Sequence, residues 1–152
     1  MHGKWSKADV PHASWTCDDI EDLGEPSEVC EMCEKTEIRF VHIMSHPDYP
    51  ETLRCGCVCA GHMEGSLSRA KAREADMRKR AARRKRFASR KWKTSQKGNH
   101  YWKHGGRLAI VYRKHGRFGF RVENERRTVW GPQLYPTEIE AKLAAFDAID
   151  GG

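Results

Sequence analysis

A chain of 152 residues with 38% hydrophobic residues is long enough for one ordinary domain or two very small ones, with only a modest core. The N-terminus lacks the apolar run of a signal peptide, and the longest apolar stretch, at about 108–112, is far too short for a membrane span. We therefore predict an intracellular, cytoplasmic protein without a membrane partner, in a reducing compartment that keeps thiols available to a metal.

The formal net charge of +7 is unevenly distributed along the chain. Residues 1–65 hold 5 Lys/Arg and 13 Asp/Glu, and residues 98–152 hold 9 and 6. The stretch 66–97 holds 14 Lys/Arg and only 2 Asp/Glu. These shifts predict four parts: an acidic N-terminal segment (1–27), a cysteine-rich module (28–65), a basic helix or linker (66–97) and a C-terminal domain (98–152).

Five of the six cysteines lie between residues 30 and 59, which favours a metal site over disulfide bonds. Cys30 and Cys33 form a CxxC pair, whose thiolates can bind one metal from a tight turn. Cys59 and His62 have the same spacing and can complete a tetrahedron. We predict one structural Zn²⁺ on these four residues, in a segment with too few large apolar residues to fold by burial alone.

The choice of the later ligands stays open on sequence alone. Cys55 and Cys57 lie on the same side of a strand as Cys59 and could replace either later ligand, and Cys57 is the reserve ligand. A second site built from Cys17 and Cys55 with His42 or His46 is a further alternative. A single site is favoured because two zinc ions would use nearly every remaining ligand in this segment.

The residues between and after these ligands predict a hairpin followed by a helix. The segment 37–43 begins by alternating apolar and polar residues as a strand does, prolines in 46–50 favour a turn, and 52–55 can return as a second strand. Cys59 then opens a helix. This order resembles a treble-clef zinc finger over about residues 28–66, which implies a zinc site with its second ligand pair on the first helical turn.

His42 also has a counterpart in zinc-stapled nucleases of the His-Asn-His type, which place a His-Ile element between a CxxC pair and a helix. That resemblance implies a catalytic general base at His42. The chain has Val41 where that family has an Asp or His for the catalytic metal, and its two asparagines are Asn99 and Asn124, outside this segment. We therefore predict a protein that is not an enzyme, with a metal-dependent nuclease using His42 as an alternative.

The basic stretch predicts one long helix, because it is rich in Ala, Arg and Lys and has no Gly or Pro between residues 66 and 97. Its apolar stripe is thin, so we expect an exposed connector. Phosphate binding would relieve the repulsion among its cations, and Phe87 and Trp92 could stack on bases. An acidic protein surface, including the chain's own N-terminal part, is the alternative partner. The predicted nucleic-acid contacts here are Arg78, Lys79, Arg80, Arg83, Arg84, Lys85, Arg86, Arg90, Lys91 and Trp92.

The C-terminal domain predicts three antiparallel strands and one helix. The strand-like runs are 108–112, 118–123 and 128–131, separated by two hairpin turns. The segment 137–140 is a capping box that starts the helix, and Gly151 stands beyond its end. The apolar stripe expected to cover the sheet is Ile139, Leu143, Phe146 and Ile149.

Alternation along the middle strand predicts which sheet face is open. Phe118, Phe120 and Val122 face the helix, and the other face would carry cations and one aromatic residue. Those residues are Arg107, Arg113, Arg117, Arg121 and Trp130. Three strands backed by one helix, over about residues 99–150, resemble the arm-binding domains of phage integrases and the plant ethylene-response DNA-binding domain. The resemblance implies an open sheet face that enters the major groove of DNA through arginines and an aromatic residue.

The sequence therefore predicts an α+β protein: a small treble-clef-like zinc module, a long basic connecting helix, and a three-stranded antiparallel sheet packed on one helix. We predict a zinc-stabilised protein that binds nucleic acid, DNA in preference to RNA, and grips phosphates with the helix and the arginine-lined face. Its charge segregation suggests a phage or mobile-element source. The alternatives are the His42 nuclease and an adaptor or inhibitor that docks on a protein machine. No motif points to a small-molecule substrate.

Overall fold

The structure is a computed structural model that describes residues 2–150. The chain forms two compact units, Met1–Ala81 and Ala82–Gly152, and the boundary between them falls within the longest helix. Helices are combined with antiparallel sheets, so the predicted α+β class is confirmed. No helix in the described part of the chain is both long enough and apolar enough to cross a membrane.

The first unit is built around a three-stranded antiparallel sheet. Its elements are a 3-10 helix (Gly3–Ser6), β1 (Thr16–Asp22), β2 (Glu28–Val29), β3 (Glu37–Ile38), β4 (Phe40–His46), β5 (Tyr49–Cys55), α1 (Cys57–Glu64) and the first part of α2 (Leu67–Ser89). The sheet order is β1-β4-β5, and β2 pairs with β3 in a short separate ladder. Because β1 pairs with β4 from end to end, the acidic N-terminal residues belong to this fold and are not a separate segment.

The β4–β5 hairpin and the helix α1 extend beyond their predicted bounds. The turn between β4 and β5 is confined to Pro47 and Asp48, so Pro50 belongs to β5. A proline is tolerated there because β5 is an edge strand and its missing N–H need not serve a ladder. The helix α1 begins at Cys57, ahead of the predicted start at Cys59.

The core of the first unit draws on residues outside the cysteine-rich module. Val10 and Trp15 are 4% and 3% exposed, and they belong to one buried cluster with Met32, Val41 and Met44. Burial of these side chains stabilises the unit independently of a metal. The predicted lack of a core concerned residues 28–66 taken alone. The folded unit also buries Val10 and Trp15, which lie outside that range.

The second unit holds the last part of α2 and a five-stranded antiparallel sheet. Its further elements are β6 (Lys93–Thr94), β7 (His100–His104), β8 (Arg107–Lys114), β9 (Arg117–Glu123), β10 (Thr128–Trp130) and α3 (Glu138–Asp150). The order is β10-β9-β8-β7-β6, so β6 and β7 extend the predicted three strands to five. These two strands escape sequence analysis because β6 has only two residues and the β7 sequence HYWKH has no clear alternation.

The helix α3 begins with the predicted cap, since Thr137 Oγ1 accepts a hydrogen bond from the Glu140 backbone N–H at 3.2 Å. Its buried face coincides only in part with the predicted apolar stripe, of which Phe146 is buried. Ala141 and Ala145 are fully buried, whereas Ile139 is 50% exposed. The small alanine side chains allow the helix to approach the sheet closely. Gly151, the predicted stop, lies outside the described residues.

Strand register corrects the predicted open face. Directly opposed residues of an antiparallel pair share one face, and Ala109 opposes Val122 on the face that α3 covers. Arg113 opposes Phe118 and therefore lies on this covered face, with its guanidinium carbon 5.8 Å from the Phe118 ring centroid. Arg107 shares the parity of Ala109 and lies on the same face. Both arginines were expected on the open face, and that expectation is wrong.

The helix α2 is shorter than predicted and is not an exposed connector. It ends at Ser89, Ala70 is fully buried in the first unit, and Phe87 is 5% exposed in the second. Trp92 is 7% exposed and donates its Nε1–H to the Phe87 carbonyl at 2.9 Å. Both aromatic rings are core residues, so the expected stacking of Trp92 on bases is also wrong.

Candidate metal centre and nucleic-acid interface

Three of the four predicted zinc ligands come together in the first unit. The ligand atoms of Cys30, Cys33 and Cys59 all lie within 4.8 Å of one another. Cys30 follows β2, Cys33 lies across a turn closed by a Glu34 N–H to Cys30 carbonyl hydrogen bond of 2.8 Å, and Cys59 is in the first turn of α1. This group of sulfurs can hold a metal ion.

Cys55, and not His62, adjoins this three-cysteine group through its contact with Cys30. Cys55 is the last residue of β5 and is fully buried, and its contact with the Cys30 thiol raises the pKa of Cys55 and lowers that of Cys30. His62 is exposed and does not belong to any group of potential metal ligands found within residues 2–150. The sulfurs that lie within 4.8 Å of one another are those of Cys30, Cys33 and Cys59, and Cys55, at the end of the strand that precedes the helix, is the candidate for the fourth ligand in place of His62.

Hydrogen-bond donors surround these sulfurs. The Gly56 backbone N–H points to Cys30 Sγ at 3.4 Å, and the Trp5 indole N–H donates to Cys59 Sγ at 3.4 Å. Such donors stabilise thiolates and orient them for a metal. The 3-10 helix packs directly on this turn, because a Cβ at Gly3 would lie 2.6 Å from the Cys33 backbone. The N-terminal residues thus take part in the centre, and only the tertiary structure shows it.

A second group of potential ligands consists of His42, Cys57 and Glu74, whose ligand atoms also lie within 4.8 Å of one another and could hold a metal. His42 Nδ1 lies 3.1 Å from Arg73 Nε and 3.0 Å from Arg73 Nη2, which can only donate. The ring proton is therefore on Nε2, which faces Glu74 Oε1 at 3.4 Å. Burial and the charge of Arg73 lower the pKa of His42, so the imidazole is neutral.

This hydrogen-bond network bears on the two roles predicted for His42, a catalytic general base and a ligand of a second zinc site. The side chain is fully buried and both ring nitrogens are engaged, so the ring has no free nitrogen to act as a general base. Cys17 and His46 do not join it in any potential metal group among residues 2–150. Arg73 is itself held by Glu64, at 2.5 Å between Nη2 and Oε1. Sequence analysis missed Arg73 and Glu74 because both lie in the basic stretch, far from His42 along the chain.

The predicted phosphate contacts on α2 divide into paired and unpaired cations. Three of them pair with carboxylates: Arg78 with Glu74 at 3.4 Å, Arg83 with Asp150 at 4.0 Å, and Arg84 with Asp147 through two bonds of 2.9 Å. Arg80 is intermediate in exposure. The exposed cations that form no ion pair within the described residues are Lys79, Lys85 and Arg86 on α2, and Arg90 and Lys91 just after its end.

The open face of the second unit's sheet is mostly positively charged, and its charged residues lie on β6, β7, β8 and β9. Register places five cations and one carboxylate, Glu123, on it. The cations are Lys93, Lys103, Lys114, Arg117 and Arg121. Three aromatic residues, Tyr101, Tyr112 and Trp130, share this face. Arg117, Arg121 and Trp130 lie where the sequence predicted, and the others depend on the register of strands that local pattern does not show.

Comparisons with protein-family models, with curated proteins and with solved structures found no match for the chain. The resemblances suggested by sequence therefore stay predictions. The geometry of the cysteine cluster and of the open sheet face is the basis on which a function can be argued.

Proposed function

We propose that this protein binds nucleic acid through the open face of its five-stranded sheet, and that a structural Zn²⁺ stabilises its first unit. The observation that carries the first part is the charge of that face, five cations against one carboxylate, combined with three aromatic side chains. Phosphates supply the complementary charge, and aromatic rings supply stacking partners for bases.

The β8–β9 hairpin supports this proposal. Lys114 and Arg117 are directly opposed at its end, and both are exposed. Like charges in directly opposed positions destabilise a sheet, so folding alone gains nothing from this pair. A phosphate bound between the two side chains would remove the repulsion and release condensed counterions.

The unpaired cations at the end of α2 and just after it supply a second phosphate-binding region. The end of α2 packs on the covered face of the sheet, where the Phe87 and Phe146 rings lie 5.5 Å apart. Lys85, Arg86 and Arg90 are therefore on the other side of the second unit from the open face. Their contribution to nucleic-acid binding should add to that of the sheet, because the two regions share no side chain.

The zinc part of the proposal is supported by the chemistry of the ligands. Four sulfurs from a CxxC turn, a strand end and a helix start suit the tetrahedral preference of Zn²⁺, and such all-cysteine sites are structural. With the ion bound, Cys30, Cys33, Cys55 and Cys59 would join the turn, β5 and α1. No catalytic step is assigned to the metal.

A salt titration of duplex DNA binding tests the first part. The double variant Lys114→Ala/Arg117→Ala should reduce the magnitude of the log–log salt slope by about 2, at about 0.9 for each lost phosphate contact. The matched control is Lys7→Ala/Lys35→Ala, which removes two exposed lysines from the first unit and should leave the slope unchanged. Binding that does not depend on salt, or a double variant that behaves as the parent does, would contradict the proposal.

A further inference from the structure

A groove of about 600 Å³ lies on the open face of the second unit's sheet. One wall is the loop between β6 and β7, which contributes Gln96, Lys97 and Asn99. The other side is formed by the sheet residues Tyr112, Arg121 and Trp130, together with Ile110. Its volume is within the range of sites that enclose a small planar molecule.

The aromatic walls of this groove are arranged by a glycine. The end of the Tyr112 ring fills the space above Gly119, since a Cβ at that position would lie 2.6 Å from the Tyr112 ring and hydroxyl. The Tyr112 and Trp130 rings are 5.9 Å apart at an angle of 67°. Trp130 is nevertheless 57% exposed, so most of its indole surface is available to a ligand.

Arg121 gives an independent indication of a ligand. Its Nε is buried and makes no hydrogen bond, and within residues 2–150 it is the buried side-chain atom for which no partner is found. The nearest paired carboxylate oxygen, Glu123 Oε2, is 3.7 Å away, beyond hydrogen-bond distance. A buried donor without an acceptor costs free energy, and an acceptor that approaches the Arg121 guanidinium from the groove, whether water or a ligand, would offset that cost.

We propose that this groove receives an unstacked base of single-stranded nucleic acid, DNA or RNA; this inference rests on the proposed function. Trp130 would stack on the base, and Tyr112, whose ring is inclined at 67° to the indole, would contact the side of the base. Arg121 and the amides of Gln96 and Asn99 would hydrogen-bond the base edge, and Lys97 would meet a phosphate. A duplex keeps its bases stacked and cannot place one between these walls. Single strands should therefore use Trp130, whereas a duplex should use the cations alone.

The test measures fluorescence anisotropy of labelled oligothymidylate, oligouridylate and a duplex of the same length with the full chain. Trp130→Ala should weaken binding of single strands about 5- to 150-fold, the range for loss of one aromatic–base stack, and should change duplex binding less than about twofold. Trp130→Phe should restore much of the single-strand affinity. Ile139→Ala, which removes another half-exposed apolar side chain from α3, is the matched control and should have no effect. The two single strands decide between DNA and RNA.

The outcomes separate this inference from the function on which it rests. A parent protein that binds the duplex but not single strands, or a Trp130→Ala variant that weakens both equally, overturns the base site and leaves nucleic-acid binding in place. Absence of binding to every oligonucleotide at low salt overturns both. Should Trp130→Ala melt at a lower temperature than the parent, Gln96→Ala provides the same comparison from the loop wall, and an unchanged single-strand affinity there overturns the base site.

Discussion

At the scale of single residues, Glu138 shows how one carboxylate can link a strand to a helix. It lies in the first turn of α3, accepts a hydrogen bond from His100 on β7, and lies 3.3 Å from the ammonium of Lys142. Burial opposes ionisation of Glu138, but His100 and Lys142 outweigh burial and hold its pKa below the usual value. A carboxyl group whose pKa is lowered by folding stabilises the native state above its unfolded pKa of about 4.3, and this stabilisation is lost as the pH falls below that value.

We predict that Glu138→Gln lowers the free energy of unfolding of the second unit by roughly 0.5–1 kcal/mol at pH 7, as expected for a partly exposed pair. The difference from the parent should shrink as the pH falls below about 4.3, because protonation of Glu138 makes it neutral as glutamine is. Urea unfolding at several pH values measures it. Glu140→Gln is the matched control, because Glu140 occupies the same first turn and shares the helix-dipole effect without these partners. An equal loss in the two variants would contradict the role of His100 and Lys142.

At the scale of elements, β9 separates the core of the second unit from the open face of its sheet. Phe120 is 3% exposed, stacks on Tyr135 with ring centroids 6.2 Å apart, and packs so closely on Gly131 that a Cβ there would lie 2.7 Å from its ring. The next residue, Arg121, points to the opposite face. This alternation is what the sequence predicted for β9, and the buried cluster confirms it for Phe120 and Val122.

We predict that Phe120→Ala lowers the free energy of unfolding of the second unit by about 3–5 kcal/mol, because it removes a buried aromatic ring. Arg121→Ala should cost much less, since it removes only a partly exposed ion pair with Glu123 and a contact between the guanidinium and the Trp130 ring. Thermal and urea melts of the two variants give the ranking. A greater loss for Arg121→Ala would mean that the register of β9 is displaced by one residue.

At the scale of the whole molecule, the metal centre belongs to one unit only. All four cysteines of the centre lie in the first unit, whereas the second unit has its own buried cluster around Phe120 and Phe146. The His42 group is already occupied by hydrogen bonds to Arg73 and Glu74. Metal binding at one centre should therefore stabilise the first unit and leave the second unaffected.

We predict about one zinc per chain by elemental analysis. Removal of the ion by a chelator should lower the stability of the first unit alone, measured as faster amide hydrogen exchange in that unit. Cys55→Ser should reduce zinc retention strongly, whereas His62→Ala should retain the parent's zinc content. The two variants decide between the ligand sets, because only one of these residues adjoins the sulfur cluster. Retention by Cys55→Ser with loss in His62→Ala would restore the set predicted from sequence, and two zinc ions per chain would assign a metal to the His42 group.

Short-range features were determined by the sequence itself. The CxxC pair, the Thr137 cap of α3 and the alternation of Phe118, Phe120 and Val122 depend on residues two to four positions apart, and backbone periodicity alone brings such residues together. The basic run predicted a helix for the same reason, although not where it ends. The α+β class follows from these local patterns.

The tertiary structure decided everything that depends on how distant segments pair. Cys55 contacts Cys30 because β5 ends beside the CxxC turn, and Arg113 lies on the covered face because its register opposes Phe118. Trp92 is buried because the end of α2 returns to the sheet, whereas Trp130 is exposed on the open face. Ligand choice and side-chain facing are set by contacts between residues far apart in the chain, and a single sequence carries no local signal for them.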